Sequence, residues 1–233
     1  MFNPSKFSGR PILCYVTDRK SLPTKIAPDN FTPLLEQIAA AASAAVDWVQ
    51  IREKDLSGRQ CSWLVREALR QIKKSTPAGA TAARLLVNDR LDVARSERTA
   101  GVHLGEHSLP VGEVSEWLSP SASRIDVCNF LVGVSCHSVE DAVSAERNGA
   151  NYIFFGPIFA TPSKAAFGPP QGLQRLTEVC KTISIPVLAI GGITRENAST
   201  CLAAGASGLA AIRLFQEASD LLSLVTRLRP VSC

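Results

Sequence analysis

Eight short apolar runs rich in β-branched residues recur along the chain, and longer Ala- and Leu-rich runs separate them. The short runs are almost continuously apolar, which is typical of parallel strands covered on both faces. Eight strand–helix units in one series predict a single (β/α)₈ barrel over residues 1–233, because such barrels fill about 250 residues as one domain. A doubly wound sheet would alternate similarly, but no G-x-G-x-x-G turn follows the first strand. The predicted strands are Ile12–Thr17, Trp48–Arg52, Arg84–Asn88, Gly101–Leu104, Leu131–Ser135, Tyr152–Gly156, Val187–Ile190 and Gly208–Ile212.

Helices are predicted where apolar residues recur at helical spacing or where a glycine closes an Ala-rich run. We interpret Trp48, Trp63 and Trp117 as core or inter-helix packing residues. Ser75–Ala83 and Ser119–Asp126 read as surface loops inserted between units. The predicted helices are Thr32–Ala45, Ser57–Lys74, Val139–Asn148, Leu173–Ile183, Glu196–Ala204 and, approximately, Glu217–Leu228.

Charge narrows the class of ligand that the protein can bind, and cysteine content indicates the compartment. The formal net charge is +4, with no basic run longer than Lys73-Lys74, which argues against nucleic acid and suits a small anionic substrate. Seven cysteines without a C-x-x-C pair indicate buried or incidental thiols in a reducing compartment. No signal-peptide pattern opens the chain, and no run approaches the ~20 apolar residues of a membrane span. We therefore expect a cytoplasmic protein without a membrane partner; its oligomeric state stays open, a homo-oligomer included.

The end of the second predicted strand carries a cluster of polar side chains. In an extended strand residues two apart share a face, so Gln50, Arg52 and Lys54 are expected to point together into the barrel mouth. Two cations inside a barrel require an anionic partner, and diphosphate suits them. The alternative is a solvated strand end in which Glu53 and Asp55 serve as counter-charges. Their position on the opposite face of the strand favours the anion site.

Two other strand ends carry candidate ligand groups. The Gly191-Gly192 turn precedes a helix expected to begin near Thr194, and its backbone N–H groups favour phosphate over a purely geometric role. Asn88-Asp89 ends the third strand, and Asp89 is a candidate Mg²⁺ ligand. Taken alone, Asp89 is better explained as the N-cap of the helical run that follows it.

A loop and two histidines complete the set of candidates. Thr161, Ser163 and Lys164 lie in a proline-containing loop, which is either a cover that closes over the substrate or an ordinary loop. His137 lies just past the fifth strand and is a candidate acid or base near neutral pH. A helix-start or packing role is more common for a loop histidine. His103 falls inside a strand, where a core role is expected.

Seven segments stand at successive strand ends in a highly specific order and spacing. They are Tyr15-Val16-Thr17-Asp18, Gln50-Ile51-Arg52-Glu53-Lys54-Asp55, Val87-Asn88-Asp89-Arg90, Gly101-Val102-His103-Leu104-Gly105, Gly133-Val134-Ser135-Cys136-His137-Ser138, Gly156-Pro157-Ile158-Phe159-Ala160-Thr161-Pro162-Ser163-Lys164 and Ala189-Ile190-Gly191-Gly192-Ile193. Together they resemble the thiamine phosphate synthase and thiazole tautomerase family. The resemblance runs from Tyr15 to Ala211 and so covers nearly the whole chain.

The resemblance implies a reaction and a role for each candidate. The synthase joins a hydroxymethylpyrimidine diphosphate to a thiazole phosphate, releases diphosphate and uses Mg²⁺. The pyrimidine amino group feeds electrons towards the departing carbon, so no protein nucleophile is needed and the enzyme stabilises the leaving group. The implied roles are diphosphate binding by Arg52 and Lys54, pyrimidine contact by Gln50, diphosphate and Mg²⁺ binding by Asn88 and Asp89, contact with the pyrimidine or leaving group by Ser135, loop closure by Thr161, Ser163 and Lys164, and thiazole phosphate binding by Gly191 and Gly192.

Two residues depart from the synthase pattern. Ser108 stands where a second Mg²⁺-binding aspartate is usual, and Arg213 stands where the eighth strand usually ends in a small polar residue. The tautomerase also lacks that aspartate, and the resemblance implicates a histidine at the position of His137 in its proton transfer. A synthase is the leading prediction because the diphosphate-binding residues are all present. The alternatives are a tautomerase working through His137 and a non-catalytic barrel that binds thiazole phosphate.

Overall fold

A computed structural model describes residues 9–22, 30–105, 107–118, 129–161 and 169–229. Eight parallel strands form a closed barrel in which each strand pairs with the next and the eighth pairs with the first. The predicted (β/α)₈ barrel is thereby confirmed, and each strand agrees with its prediction to within one residue. The strands are β1 Ile12–Val16, β2 Trp48–Ile51, β3 Arg84–Asn88, β4 Gly101–Leu104, β5 Leu131–Cys136, β6 Tyr152–Phe155, β7 Val187–Ile190 and β8 Gly208–Ala211.

Helices follow the strands around the outside of the barrel. Residue Ser57 caps the longest of them, because its hydroxyl accepts from Gln60 N while the Gln60 side chain accepts from Ser57 N. Within the described ranges, no helix is long and apolar enough to cross a membrane. The helices are α1 Thr32–Ser43, α2 Gly58–Ser75, α3 Leu91–Ser96, α4 Val111–Trp117, α5 Val139–Arg147, α6 Gly172–Thr182, α7 Ala198–Ala203, α8 Arg213–Gln216 and α9 Leu221–Leu228.

Two helix starts differ from the predictions. The last helix begins at Leu221 rather than near Glu217, because the Asp220 side chain accepts from Ser223 N and caps α9 there. The helix expected near Thr194 begins at Ala198. The second difference matters for function, because it separates the Gly191-Gly192 turn from the helix that was expected to support it.

Side chains of the strands alternate between the barrel interior and the layer beneath the helices. The interior is filled mainly by Trp48, Tyr152 and Phe154, with ring centres 4.7 Å apart for Trp48 and Tyr152 and 5.5 Å apart for Tyr152 and Phe154. Gly133 makes room for this packing, since a Cβ there would lie 2.0 Å from Tyr152 Cζ. The interior is therefore a packed core.

The three tryptophans do not share one environment. Trp48 is fully buried, as expected. Trp63 is 45% exposed but packs against Phe31 at the start of α1, with ring centres 5.6 Å apart, so its inter-helix role is confirmed. Trp117 on α4 is 54% exposed, so a core position is wrong for it, and its contact is with a residue of α3. Its ring lies 6.0 Å from the Arg95 guanidinium carbon, which is a cation–π contact at the surface.

The described cysteines are thiols without a disulfide partner. Burial raises the pKa of Cys136 to about 12 and the pKa values of Cys180 and Cys201 to about 11. These thiols are protonated at neutral pH and are poor nucleophiles, as expected of buried cysteines. Cys128, Cys233 and the predicted loop Ser119–Asp126 lie outside the described residues.

Candidate active site

The carboxyl ends of the eight strands meet at one mouth of the barrel. Side chains two residues apart on a strand point the same way. Trp48, Leu86 and Leu131 point into the barrel interior. The side chains of Gln50, Arg52, Asn88 and Ser135, at even spacing from them, therefore also point inward. One pair is in direct contact, since Gln50 Nε2 donates to Asn88 Oδ1 at 2.9 Å. The structure therefore brings together candidates that are far apart in the sequence.

Gln50 forms the floor of this mouth. Gln50 is 1% exposed, and its Oε1 atom is buried without a hydrogen-bond partner among the described residues. An unsatisfied buried acceptor costs about 1–3 kcal/mol, so a ligand N–H that reaches Oε1 would remove that cost. A heterocycle with an exocyclic amino group has a donor of this kind.

Arg52 is a half-buried cation on the same interior face. The two carboxylates that follow it point away and bind Arg19, with Nη1 lying 3.0 Å from Glu53 Oε2 and 2.6 Å from Asp55 Oδ1. Within the part of the chain that the structure describes, no carboxylate pairs with the Arg52 guanidinium. Glu53 and Asp55 are therefore not its counter-charges, and the interior guanidinium is available to an anionic ligand.

Lys54 lies beyond the extended segment, in a turn where Leu56 N donates to Glu53 O at 3.3 Å. Its side chain is exposed at the rim. Because the strand has already turned, alternation does not fix the direction of Lys54. Its contact with a diphosphate stays a prediction.

A buried network holds the backbone at Arg52. Thr17 Oγ1 donates to Glu53 Oε1 at 2.7 Å and accepts from Arg52 N at 2.9 Å. Burial raises the pKa of Glu53, while hydrogen bonds from Thr17 and Arg19 oppose that increase. Thr17 and Glu53 occupy outward positions at the ends of adjacent strands, but their sequence pattern does not reveal the hydrogen bond between them.

Asp89 is not the N-cap of α3, and the interpretation as a cap was wrong. Its backbone has φ of 60°, a left-handed conformation that Asp tolerates better than most residues, and Arg90 occupies the cap position. The Asp89 carboxylate turns to the next strand end instead, where Oδ1 accepts from Gly105 N at 3.1 Å and from the Ser108 hydroxyl. Ser108 thus lies against Asp89, where a second carboxylate would have stood.

This pair fits a magnesium site with few protein ligands. Mg²⁺ is commonly held by one or two carboxylates, with water and substrate phosphates completing its shell. Asp89 and Ser108 offer one carboxylate and one hydroxyl side by side. Across the described ranges there is no group of three or more His, Cys, Asp and Glu residues that could hold a metal, so a site here depends on oxygen atoms from the ligand.

A second hydrogen-bonded chain lies under the mouth. His103 Nε2 is 2.9 Å from Ser135 Oγ, and His103 Nδ1 is 3.1 Å from the Tyr152 hydroxyl. Burial lowers the pKa of His103 to about 3, with Asp89 opposing the decrease and Arg52 reinforcing it. His103 is therefore neutral at pH 7. Its core position is confirmed, and its contact with Ser135 was missed.

His137 stands at the end of β5 with one ring nitrogen engaged. Its Nδ1 atom contacts the Gly156 carbonyl oxygen, which can only accept, so Nδ1 carries the proton. Nε2 is left as the acceptor, and no described residue hydrogen-bonds to it. The arrangement suits a base, and it orients the ring without a carboxylate partner.

The Gly191-Gly192 turn has the backbone that only glycine adopts readily, with φ of 94° and 68°. A Cβ at Gly191 would lie 2.6 Å from Pro157 Cα. Among the described residues, the N–H groups of Gly192 and Ile193 have no hydrogen-bond acceptor. These N–H groups belong to the turn, because the helix begins only at Ala198. A phosphate would be held by the turn without help from a helix.

The loop after β6 is described only at its start. Thr161 is half-buried and accepts a hydrogen bond from Arg213 Nη2 at 3.3 Å. Ser163 and Lys164 lie outside the described residues. Their expected closure over the substrate stays a prediction.

Comparison with known proteins assigns the family. The model of a family described as thiamine monophosphate synthase matches residues 14–215. The chain belongs to this family. The thiamine-phosphate synthase of Methanocella arvoryzae is 41% identical over 199 residues, which cover 85% of this chain and 86% of that protein. The thiamine-phosphate synthase of Roseiflexus castenholzii is 37% identical over 219 residues, or 94% of this chain and 87% of that protein.

A solved structure agrees with this assignment. Thiamine phosphate pyrophosphorylase from Pyrococcus furiosus superposes with a TM-score of 0.74 at 28% identity, over 93% of each chain. The likeness extends along the barrel from end to end, as the sequence resemblance implied.

The Asp89–Ser108 pair yields a prediction that does not depend on turnover. Ser108→Asp should tighten Mg²⁺ binding on the order of tenfold, or about 1.4 kcal/mol, because it adds a second carboxylate beside Asp89. Without metal, the two adjacent carboxylates repel, so the melting temperature should fall and Mg²⁺ should restore it. Thermal unfolding across a Mg²⁺ titration measures both effects. Ser108→Asn is the matched uncharged control, and an equal response from it would exclude a metal site here.

Proposed function

We propose that the protein is a thiamine phosphate synthase, which couples hydroxymethylpyrimidine diphosphate to thiazole phosphate and releases diphosphate. Its family relatives are transferases of thiamine biosynthesis. The observation that carries the proposal is Arg52, an interior guanidinium at the mouth with no carboxylate partner among the described residues. A cytoplasmic location and a single domain over residues 1–233 are part of the same proposal.

Gln50 and Arg52 suit the two parts of the first substrate, the pyrimidine ring and the diphosphate. Gln50 Oε1, which lacks a donor in the described structure, would accept from the pyrimidine amino group. Ser135, fixed by neutral His103, would contact the ring or the leaving group. Arg52 and Lys54 from the β2 end, together with Lys164, would bind the diphosphate by charge-assisted hydrogen bonds.

The reaction needs leaving-group stabilisation more than a nucleophile. The bond between the pyrimidine methylene carbon and the diphosphate oxygen breaks, and its electron pair leaves with diphosphate. The thiazole nitrogen then donates its lone pair to that carbon and forms the new C–N bond. Arg52 stabilises charge that grows on the leaving oxygen, and the mouth aligns the two rings. Asp89, Asn88 and Ser108 would hold Mg²⁺, which supplies further positive charge against the diphosphate.

The direct test is a coupling assay with purified protein. Diphosphate should be released only when both substrates and Mg²⁺ are present, and thiamine phosphate should form in equal amount. Release of no diphosphate under these conditions would exclude the synthase. The remaining candidates would then be a thiazole tautomerase and a barrel that binds thiazole phosphate without catalysis.

A thiazole tautomerase is the second candidate, because His137 has a suitable geometry for proton transfer. Its Nδ1 proton is fixed on the Gly156 carbonyl, which leaves Nε2 as a base. Such an isomerase would need neither the diphosphate-binding cations nor Mg²⁺. Retention of Arg52, Lys54 and Asp89 in this chain favours the synthase.

His137→Asn separates the two enzymes. We expect coupling to survive within about threefold, because the dissociative step asks little of a general base, whereas a tautomerase would lose roughly 10²–10⁴-fold. Asparagine keeps polarity and approximate size but does not titrate near neutral pH. Both activities are measured in the parent and the variant. A strong parental tautomerase activity that disappears in His137→Asn, with no coupling in either protein, would favour the isomerase.

A further inference from the structure

Tyr152 reaches across one strand of the barrel to contact His103 on the next. Gly133 on β5 pairs in register with Tyr152 on β6 and with His103 on β4. A Cβ at Gly133 would lie 2.4 Å from the Tyr152 hydroxyl oxygen, so glycine leaves the space through which the ring passes. The Tyr152 hydroxyl consequently lies 3.1 Å from His103 Nδ1, with both side chains buried.

His103 joins this contact to the mouth of the barrel. Its Nε2 atom lies 2.9 Å from Ser135 Oγ, and Ser135 stands two residues nearer the carboxyl end of β5 than Gly133. The imidazole packs against Phe154, with ring centres 4.1 Å apart, which restricts its movement. Tyr152, His103 and Ser135 therefore form one hydrogen-bonded relay, which runs from the packed interior to the half-buried Ser135 hydroxyl.

The position of each proton in the relay follows from its donors and acceptors. Within the described ranges, His103 Nδ1 is the hydrogen-bond partner of the Tyr152 hydroxyl, and no other acceptor contacts that hydroxyl. Burial raises the pKa of Tyr152 well above its ordinary value, so the hydroxyl keeps its hydrogen. A proton on Nδ1, in a neutral or a doubly protonated ring, would leave this hydrogen without an acceptor, and a buried donor without a partner is destabilising. Tyr152 therefore donates to Nδ1, and the imidazole hydrogen lies on Nε2.

This assignment sets the direction in which Ser135 can donate. Because His103 Nε2 donates to Ser135 Oγ, the serine hydrogen points away from the histidine. Across the part of the chain that the structure describes, the Ser135 hydroxyl has no acceptor for it. A ligand atom that meets this hydroxyl must therefore accept a hydrogen bond. Gln50 Oε1 is the opposite case at the same mouth, because it is an acceptor that lacks a donor among the described residues.

We propose that Tyr152 and His103 are positioning residues, which fix Ser135 as a hydrogen-bond donor to the substrate. This inference rests on the proposed function and deepens it, because it states which kind of substrate atom Ser135 can contact. The pyrimidine diphosphate offers acceptors in its ring nitrogens and in the oxygens of its leaving group. Its amino group is a donor, which Ser135 would not accept and which Gln50 Oε1 would. The mouth thus presents one fixed donor and one fixed acceptor to the first substrate.

Nitrogen-15 NMR of protein labelled at histidine reads the proton positions directly and needs no turnover. The chain has three histidines, so the signals that disappear in His107→Gln and His137→Asn leave those of His103. In the parent protein, His103 Nε2 should appear protonated and Nδ1 unprotonated.

Tyr152→Phe tests what holds the proton there, because it removes the hydroxyl and keeps the ring. A fraction of the molecules should then carry the His103 proton on Nδ1, since Ser135 can donate to Nε2 once Tyr152 no longer donates to Nδ1. Tyr15→Phe is the matched control. It removes a buried hydroxyl that has no hydrogen-bond partner among the described residues, and it should leave the His103 signals as they are in the parent.

Kinetics measures what the relay contributes to coupling. Tyr152→Phe should lower kcat/KM for the pyrimidine diphosphate roughly 3- to 10-fold, the loss expected for one neutral hydrogen bond, and should leave the KM for thiazole phosphate within about twofold. In a Ser135→Ala background, Tyr152→Phe should have no further effect, because it acts through Ser135. A role confined to core packing would give the same loss with or without the serine. Tyr15→Phe should keep the parental kinetics.

Three results would overturn the inference. They are a proton on His103 Nδ1 in the parent, unchanged His103 signals in Tyr152→Phe, and a kinetic loss in Tyr152→Phe that is absent or that persists in full when Ser135 is replaced by alanine. If the parent does not couple the substrates, the proposed function fails by itself, and NMR still decides the proton positions. Calorimetric titration of the pyrimidine diphosphate then replaces the kinetics, and equal affinities of the parent and Tyr152→Phe, or no binding to either, would exclude the donor role of Ser135.

Discussion

Replacing Arg52 by alanine should lower kcat/KM for coupling by roughly 30- to 5,000-fold, equivalent to about 2–5 kcal/mol of transition-state stabilisation. Arg52 faces the barrel interior, and the neighbouring carboxylates are bound to Arg19. Because charge accumulates on the diphosphate as the bond breaks, the loss of this cation should affect the transition state more than the ground state. Steady-state kinetics with the pyrimidine diphosphate as the varied substrate measures the effect.

Two comparisons make the Arg52 result specific. Thiazole phosphate should bind Arg52→Ala with unchanged affinity by calorimetry, because its phosphate is expected at the Gly191-Gly192 turn after β7 and not at the end of β2. Arg59→Ala, at an exposed position on α2, should retain normal kinetics. Formation of thiamine phosphate by Arg52→Ala at the parental rate would mean that the diphosphate is bound elsewhere.

Trp48→Ala should reduce the free energy of unfolding by about 3–5 kcal/mol, the usual cost of removing a large aromatic side chain from a core. Trp48 is fully buried inside the barrel, with its ring centre 4.7 Å from that of Tyr152. The closed ring of paired strands restricts collapse around the cavity, so little of the lost packing should be recovered. Urea denaturation followed by circular dichroism gives the value.

An exposed position provides the reference for this measurement. Leu222 on α9 is 63% exposed, and Leu222→Ala should change stability by no more than about 0.5 kcal/mol. If Trp48→Ala and Leu222→Ala cost the same, the interior packing described for the barrel would be incorrect.

The strands could be predicted because their signal is local. Each is a short, mainly apolar run that ends at or next to a polar or glycine residue, and parallel strands covered on both faces require such a run. The start of α9 was harder to predict, because residues 217–220 have no property that prevents a helix. Helix α9 begins after Asp220, whose side chain accepts a hydrogen bond from Ser223 N. The short helix α8 ends before it, at Gln216.

The direction of the site's side chains could be predicted where they lie on strands, because side chains alternate between the two faces of a strand. The period of two predicts Gln50 and Arg52 on one face, and Gln50 is found in contact with Asn88 of the neighbouring strand. The same rule applied to β4 places His103 inside, where it is paired with Gly133 and lies next to Ser135. Lys54 lies past the end of β2, in a turn where side chains no longer alternate with a period of two, so its direction could not be predicted. Asp89 depends on contacts with Gly105 and Ser108 from the following unit, and such contacts are set by tertiary structure.

At the end of β2, successive side chains point to opposite faces. Arg52 therefore faces the barrel interior, and Glu53 faces outward and forms an ion pair with Arg19. A substitution in this segment changes one group, but the loss or gain of a single residue before Arg52 would exchange the two faces and turn the carboxylate towards the substrate. The number of residues before Arg52 is therefore constrained as well as the identity of Arg52. Among diverging descendants of this chain, we expect single-residue insertions and deletions before Arg52 to be eliminated.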